Sequence, residues 1–205
     1  MKTKPTAKIL IGTTNQGKIR ELNELLADLP AHLIDLDEVG QIGEIEETGA
    51  TFAENASLKA IGYARQTGLM TIGDDSGLEV AALANAPGVF SARYGGNKTG
   101  FDEKIRLLLN ELNTVPNANR SARFVCVMSL ANAEGEVVFE AEGVCSGQLA
   151  ESPRGTGGFG YDPIFIPSGF DMTFGELGSD IKQQISHRAR AAVKIIRYLQ
   201  GFFAV

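Results

Sequence analysis

A chain of 205 residues with 43% hydrophobic side chains can bury a real core as one domain or as one domain with two lobes, and its net charge of −6 excludes the broad basic face of a general nucleic-acid binder. It contains no run of about 18 apolar residues, which excludes an apolar membrane-spanning helix, and residues 1–8 are expected to carry no signal-peptide core. Cys126 and Cys145 lie in apolar, strand-like runs and are expected as buried free thiols in a reducing cytoplasm.

The first element is the apolar run Ile9-Leu10-Ile11, which predicts a buried strand. The polar stretch Thr13-Thr14-Asn15-Gln16-Gly17-Lys18 follows. Ile19, Leu22, Leu25, Leu26 and Leu29 then share one helical face that ends before Pro30. The opening of a helix after a strand is an anion site, because its unsatisfied N–H groups point outward. Lys18 in the first turn opposes the helix dipole, a misfit that favours a phosphate-binding role. Gly12 through Lys18 has the spacing of a P-loop, but Ile19 stands where the magnesium-ligating hydroxyl belongs, so a P-loop kinase or ATPase is rejected.

Residues 33–36 predict a second strand, and residues 37–50 an acidic loop carrying Glu44, Glu46 and Glu47. Thr51-Phe52-Ala53-Glu54 is a capping box that starts a helix running to about Thr67. Residues 69–72 predict a short strand that runs into Asp74-Asp75-Ser76-Gly77, read as a tight turn at the strand end. Two neighbouring carboxylates repel unless a cation sits beside them, and a hard divalent ion such as magnesium takes oxygen ligands. Glu46 and Glu47, just before a helix, are placed to reach that strand end.

The Pro87-Gly88 and Gly95-Gly96 pairs mark a loop in which Arg93 is either a surface partner of Tyr94 or an arginine aimed at phosphate. Ile105, Leu108, Leu109 and Leu112 predict a helix, and residues 123–131 and 137–149 two long strands joined as a hairpin. Residues 155–160 spell a formal Gly-x-Gly-x-x-Gly, but Asp162-Pro163 breaks the chain where a dinucleotide-binding helix would open. Phe159 and Tyr161 among these glycines form either a stacking platform for a base or a flexible loop with its aromatics in the core. Residues 164–166 predict a short strand. Ser186 is a candidate cap for a last helix with Ala189, Ala192, Val193, Ile196 and Leu199 on its apolar face. His187 and Arg188 then sit in its first turn, a second basic helix opening that an anion would relieve. A serine hydrolase built on Ser76 and His187 is rejected for want of a Gly-x-Ser-x-Gly elbow.

Six pieces in order carry a family resemblance. They are Thr13-x-Asn15-x-x-Lys18, Glu47-Thr48-Gly49-x-Thr51-Phe52-x-Glu54-Asn55-Ala56, Asp74-Asp75-Ser76-Gly77-Leu78, Pro87-Gly88-Val89-Phe90-Ser91-Ala92-Arg93-Tyr94, Gly158-Phe159-Gly160-Tyr161-Asp162-Pro163 and Ser186-His187-Arg188. Together they span nearly the whole chain, which resembles the inosine/xanthosine triphosphate pyrophosphatases. The resemblance implies a single α/β domain over residues 1–205, with a central mixed sheet, flanking helices and two lobes around a nucleotide-binding cleft, assembled as a homodimer. It implies hydrolysis of ITP, dITP and XTP to a monophosphate and pyrophosphate, with a purine nucleoside triphosphate as substrate and neither nucleic acid nor membrane as a partner. Asp75 is then the base that activates water, with Lys18 beside it in the reaction. Asp74 and Asp75 with Glu46 or Glu47 are the expected Mg2+ site. Thr13, Thr14, Asn15, Gln16, Gly17, Lys18, Ser76, Arg93, Lys182, His187 and Arg188 are expected substrate contacts, and Phe159, Gly160, Tyr161 and Asp162 the base pocket. The rival reading is a nucleotide-binding module that releases no pyrophosphate.

Overall fold

The computed structural model describes residues 7–204; residues 1–6 of the expected polar N-terminus lie outside the described residues. Six strands form one mixed sheet in the order β2-β1-β3-β4-β5-β6. They are β1 (Ala7–Gly12), β2 (Ala31–Ile34), β3 (Met70–Val80), β4 (Ser121–Ala131), β5 (Val137–Leu149) and β6 (Phe165–Pro167). β1 runs parallel to β2 and β3, with Ile9 opposite Leu33 and Met70, whereas β6 lies antiparallel to β5. The helices are α1 (Gln16–Leu25), α2 (Phe52–Thr67), α3 (Phe101–Thr114), α4 (Ser179–Ile185) and α5 (His187–Phe203). None of them is long and apolar enough to cross a membrane.

The chain divides into two compact units, and β3, β4 and β5 contribute residues to both. The first unit has a core of Ile9, Ile11, Leu22, Leu26, Ile72, Met128, Ile195 and Leu199. In the second, Leu78, Leu108 and Leu112 pack with Phe124, Phe165 and Phe174. Phe124 and Phe165 meet at a 4.6 Å centroid distance, and Phe165 stacks on Phe174 at 5.4 Å. Such aromatic pairs add about 0.5–1.5 kcal/mol beyond their buried area.

Most elements form where their sequence signals stand. Thr51 caps α2 through the predicted box: its side chain accepts from the Glu54 N–H, and the Glu54 carboxylate accepts from the Thr51 N–H. Gly68, at φ 66°, ends the helix in the left-handed conformation that glycine adopts without strain. The hairpin strands β4 and β5 also match expectation.

Three expectations change, and one unannounced helix appears. The strand at residue 70 does not stop at Ile72 in a turn but runs eleven residues through Asp74, Asp75, Ser76 and Gly77. Asp and Ser form turns by bonding their own backbone, and here both aspartates find distant partners instead. The second strand ends at Ile34, because Asp35 caps a 3-10 turn at Leu36–Val39 and Glu38 completes a capping box. The short helix α4 carries no apolar period long enough to announce it. On α5, Ile195 is buried while Val193 is 45% exposed, so the packed stripe is rotated from the expected one.

Candidate active site

In the first unit, the site begins at the β1–α1 turn. Asn15 caps α1: its Oδ1 accepts from the N–H groups of Gly17 at 2.9 Å and Lys18 at 3.1 Å. Two of the helix N–H groups expected to receive a phosphate are therefore already bonded within the turn. Thr13 is buried and its hydroxyl accepts from the Asn15 N–H, whereas Thr14 and Gln16 are exposed at the helix opening. Lys18 reaches back across the turn to β3, where its ammonium lies 2.6 Å from Asp74 Oδ1.

Successive residues of a strand point to opposite faces, and this separates the two aspartates. Asp74 is fully buried. Its Oδ2 accepts from Arg188 Nε at 2.9 Å and from the Cys126 thiol at 3.1 Å, and Arg188 Nη1 donates to Glu21 at 2.5 Å. Burial alone would raise the Asp74 carboxyl, but Arg188 and Lys18 outweigh it and hold it well below the usual carboxylate range. The basic openings of α1 and α5 thus meet a protein carboxylate, and no outside anion is needed to balance them.

Asp75 lies on the other face with a separate set of partners. Its Oδ1 is 3.2 Å from the Lys59 ammonium, and its Oδ2 accepts from Asn55 Nδ2 at 3.3 Å. Lys59 also reaches Glu47 Oε1 at 2.7 Å. Burial raises the Asp75 carboxyl above its ordinary 3.8, and the Lys59 ammonium offsets only part of that. Burial would lower Lys59, but Asp75 and Glu47 together raise it, so it stays charged.

The expected grouping of Asp74 and Asp75 with one of the two glutamates is not seen in this arrangement. Among the described residues no group of three or more Asp, Glu, His or Cys side chains is placed to hold a metal ion. Asp74 is turned away from Asp75 and engaged by two cations, and Glu46 is exposed. Glu47 and Asp75 are the two that share a cation, the Lys59 ammonium between them. Their oxygens are the donors a hard divalent ion takes, with water completing its shell.

In the second unit, the loop that leads to Asp162 is built on that buried carboxylate. Asp162 Oδ2 accepts from the Phe159 N–H at 2.7 Å and pairs with Lys182, whose ammonium lies 4.8 Å from the Phe159 ring centroid. Gly158, at φ 70°, is required: a Cβ there would stand 2.0 Å from Asp162 Oδ2. Phe159 and Gly160 are half-buried. Tyr161, expected in the base pocket, turns its side chain into the core: its hydroxyl donates to the Ser91 carbonyl at 3.1 Å and its ring meets Phe101 edge-on. His187 is buried and stacks on Phe124 at 4.7 Å. Arg93 is half-buried with its guanidinium 5.5 Å from the Phe90 ring, and Ser76 is half-buried on β3.

Four further residues complete the first unit's constellation: Glu21, Asn55, Lys59 and Cys126. Asn55 and Lys59 were visible as polar side chains four apart among Phe52, Ala56, Ala60 and Tyr63, the apolar positions of α2. A carboxamide and an ammonium on an inward helical stripe need buried partners. Cys126 carries no signal of its partner, since an apolar strand hides small thiols readily.

A model of the Ham1 family matches residues 9–198. The dITP/XTP pyrophosphatase of Prochlorococcus marinus is 45% identical over 197 residues, covering 96% of this chain and 94% of that protein. The dITP/XTP pyrophosphatase of Bacillus subtilis is 44% identical over 192 residues, covering 94% and 96%. The solved structure of a HAM1 protein from Coxiella burnetii superposes with a TM-score of 0.88 at 41% identity, covering 96% of this chain and all of that one. With a family match over nearly its whole length, and with relatives this similar, the chain belongs to the Ham1 family.

Proposed function

We propose that residues 1–205 form one nucleoside-triphosphate pyrophosphatase domain that hydrolyses ITP, dITP and XTP to the monophosphate and pyrophosphate, clearing non-standard purines from the nucleotide pool. The observation that carries this reading is Asp75: a buried carboxylate on a rigid strand, raised in pKa and aligned with Glu47 on one lysine. A base is most effective when its pKa is moved toward the working pH, and burial does that here.

The reaction is attack of water at the α-phosphorus with pyrophosphate leaving. Asp75 takes the proton of the attacking water. Lys18, poised on Asp74, exchanges part of that pairing for a phosphate oxygen and stabilises the charge that develops. Arg188 holds Asp74 from within the core and so fixes Lys18 at the substrate's phosphates. Thr13, Thr14, Asn15, Gln16 and Gly17 line the phosphate end, and Ser76 is a further substrate contact. Glu47 and Asp75 are the residues that would hold Mg2+, which supplies neutralisation of phosphate charge when bound.

Phe159, with Lys182 and Asp162 beside it, is the proposed platform for the base, with His187 and Arg93 as further substrate contacts. A donor aimed at a 6-oxo group rejects adenine, whose 6-amino group would leave both partners unsatisfied. The assembly is a homodimer in the cytoplasm, consistent with two buried free thiols, and it engages neither nucleic acid nor membrane. Pyrophosphate release from a panel of nucleoside triphosphates, with and without Mg2+, tests the reading. Preferential, Mg2+-dependent turnover of dITP, ITP and XTP is the expected result, and equal turnover of ATP overturns the base-pocket assignment.

A further inference from the structure

Asn55 is completely buried one turn into α2, where an apolar residue would otherwise stand. Its Oδ1 accepts from the Gly49 N–H at 2.8 Å. That bond fixes the amide orientation, so the opposite end is the donor, and Nδ2 meets Asp75 Oδ2 at 3.3 Å. Lys59, four residues further along the same helix, holds the other oxygen of Asp75. The two carboxylate oxygens are thus fixed by two side chains of one rigid element.

Gly49 lies two residues beyond Glu47 in the loop before α2. It approaches α2 so closely that a Cβ would stand 2.7 Å from Asn55 Oδ1 and 2.6 Å from Glu54 Cβ. Only glycine permits this approach, and the approach is what lets one carboxamide bond the loop and the carboxylate together. Asn55 does so without adding charge; a second cation would lower the basicity of Asp75.

We propose that Asn55 is a positioning residue for the hydrolysis: it sets the rotation of the Asp75 carboxylate and ties the Glu47-bearing loop to the same helix. The inference rests on Asp75 being the base. Errors of about 1 Å in placing a reacting group cost about 10²-fold in rate, and neighbours that lock a functional side chain prevent them.

The test is steady-state kinetics with dITP on three variants. Asn55→Ala lowers kcat by about 10- to 100-fold with KM within about threefold of the parent. Asn55→Asp keeps the acceptor for Gly49 and loses the donor to Asp75, so its kcat falls at least as far. Gly49→Ala displaces Asn55 from the other side and lowers kcat comparably, and the Gly49→Ala/Asn55→Ala double variant loses no more than Asn55→Ala alone, because both act through one contact. If Asn55→Ala does not fold, Asn55→Asp and Gly49→Ala decide. A folded Asn55 variant with kcat within twofold of the parent, a loss confined to KM, or additive effects in the double variant overturns the proposal. Full activity in Asp75→Asn instead overturns the base assignment beneath it, and the two failures are therefore distinct.

Discussion

Two adjacent aspartates with opposite environments are the central residue-scale feature. Asp74 is tied to Arg188, Lys18 and a thiol; Asp75 faces one lysine and one carboxamide within a desolvated setting. Their carboxyl pKa values therefore move apart, one well below and one above the ordinary 3.8. A metal-free sample labelled at aspartate Cγ checks this by carbon NMR: Asp75 titrates above 3.8, and Asp74 stays ionised well below it. Coincident titration of the two would refute the division of labour. Replacing the base, Asp75→Asn, is expected to lower kcat by about 10²-fold or more, measured by pyrophosphate release, with little change in the melting temperature.

At the scale of elements, the site depends on how closely α2 lies against β3. Gly73 makes that contact: a Cβ there would stand 2.2 Å from the Ala56 carbonyl oxygen and 2.7 Å from the Ala60 nitrogen, both backbone atoms of the helix. Gly73→Ala forces α2 off the strand, with an expected cost of about 1–3 kcal/mol, or more if the helix cannot shift. Because Asn55 and Lys59 ride on α2, activity should fall by more than the lost stability explains. Denaturant unfolding beside kinetics at a temperature where the variant is folded makes the comparison. The elements themselves were largely legible in the sequence: Thr51 and Glu54 announced α2, the Ile105-Leu108-Leu109-Leu112 spacing announced α3, and the turn Asn132-Ala133-Glu134-Gly135 between the two long strands announced the hairpin. The site was legible as residue types and less so as geometry. Asp74-Asp75-Ser76-Gly77 has turn composition, but it lies in an interior strand of the sheet, and the aspartates have long-range partners. Hence the sequence alone suggested a shared metal for two carboxylates that in fact point apart. Tyr161 likewise looked like a base contact, because the Ser91 carbonyl that satisfies its hydroxyl is seventy residues away.

For the molecule as a whole, the group Glu21-Arg188-Asp74-Lys18, buried at Arg188 and Asp74, joins α1, β3 and α5 in one charge network. Removing one partner leaves an uncompensated buried charge, so Asp74→Asn is expected to cost about 3–5 kcal/mol. The pH dependence follows from the lowered folded-state pKa. The contribution of Asp74 is fully present above its unfolded value near 3.8 and is lost as pH falls toward its much lower folded value. The stability gap between parent and Asp74→Asn should therefore be flat from neutrality to about pH 4 and narrow only below it. Chemical denaturation at a series of pH values measures this, and a gap that closes near neutrality would contradict it.

Cys126 donates to Asp74 at the edge of that network and lies in the first unit's core, and Cys145 lies in the second unit's core. Both sulfurs are shielded from solvent, and burial with the neighbouring Asp74 charge keeps the Cys126 thiol protonated. An intact molecule should accordingly be silent to an alkylating reagent, with each sulfur registering only when its own unit opens. Mass-resolved labelling of the two positions would read separate opening rates for the two halves without any introduced probe.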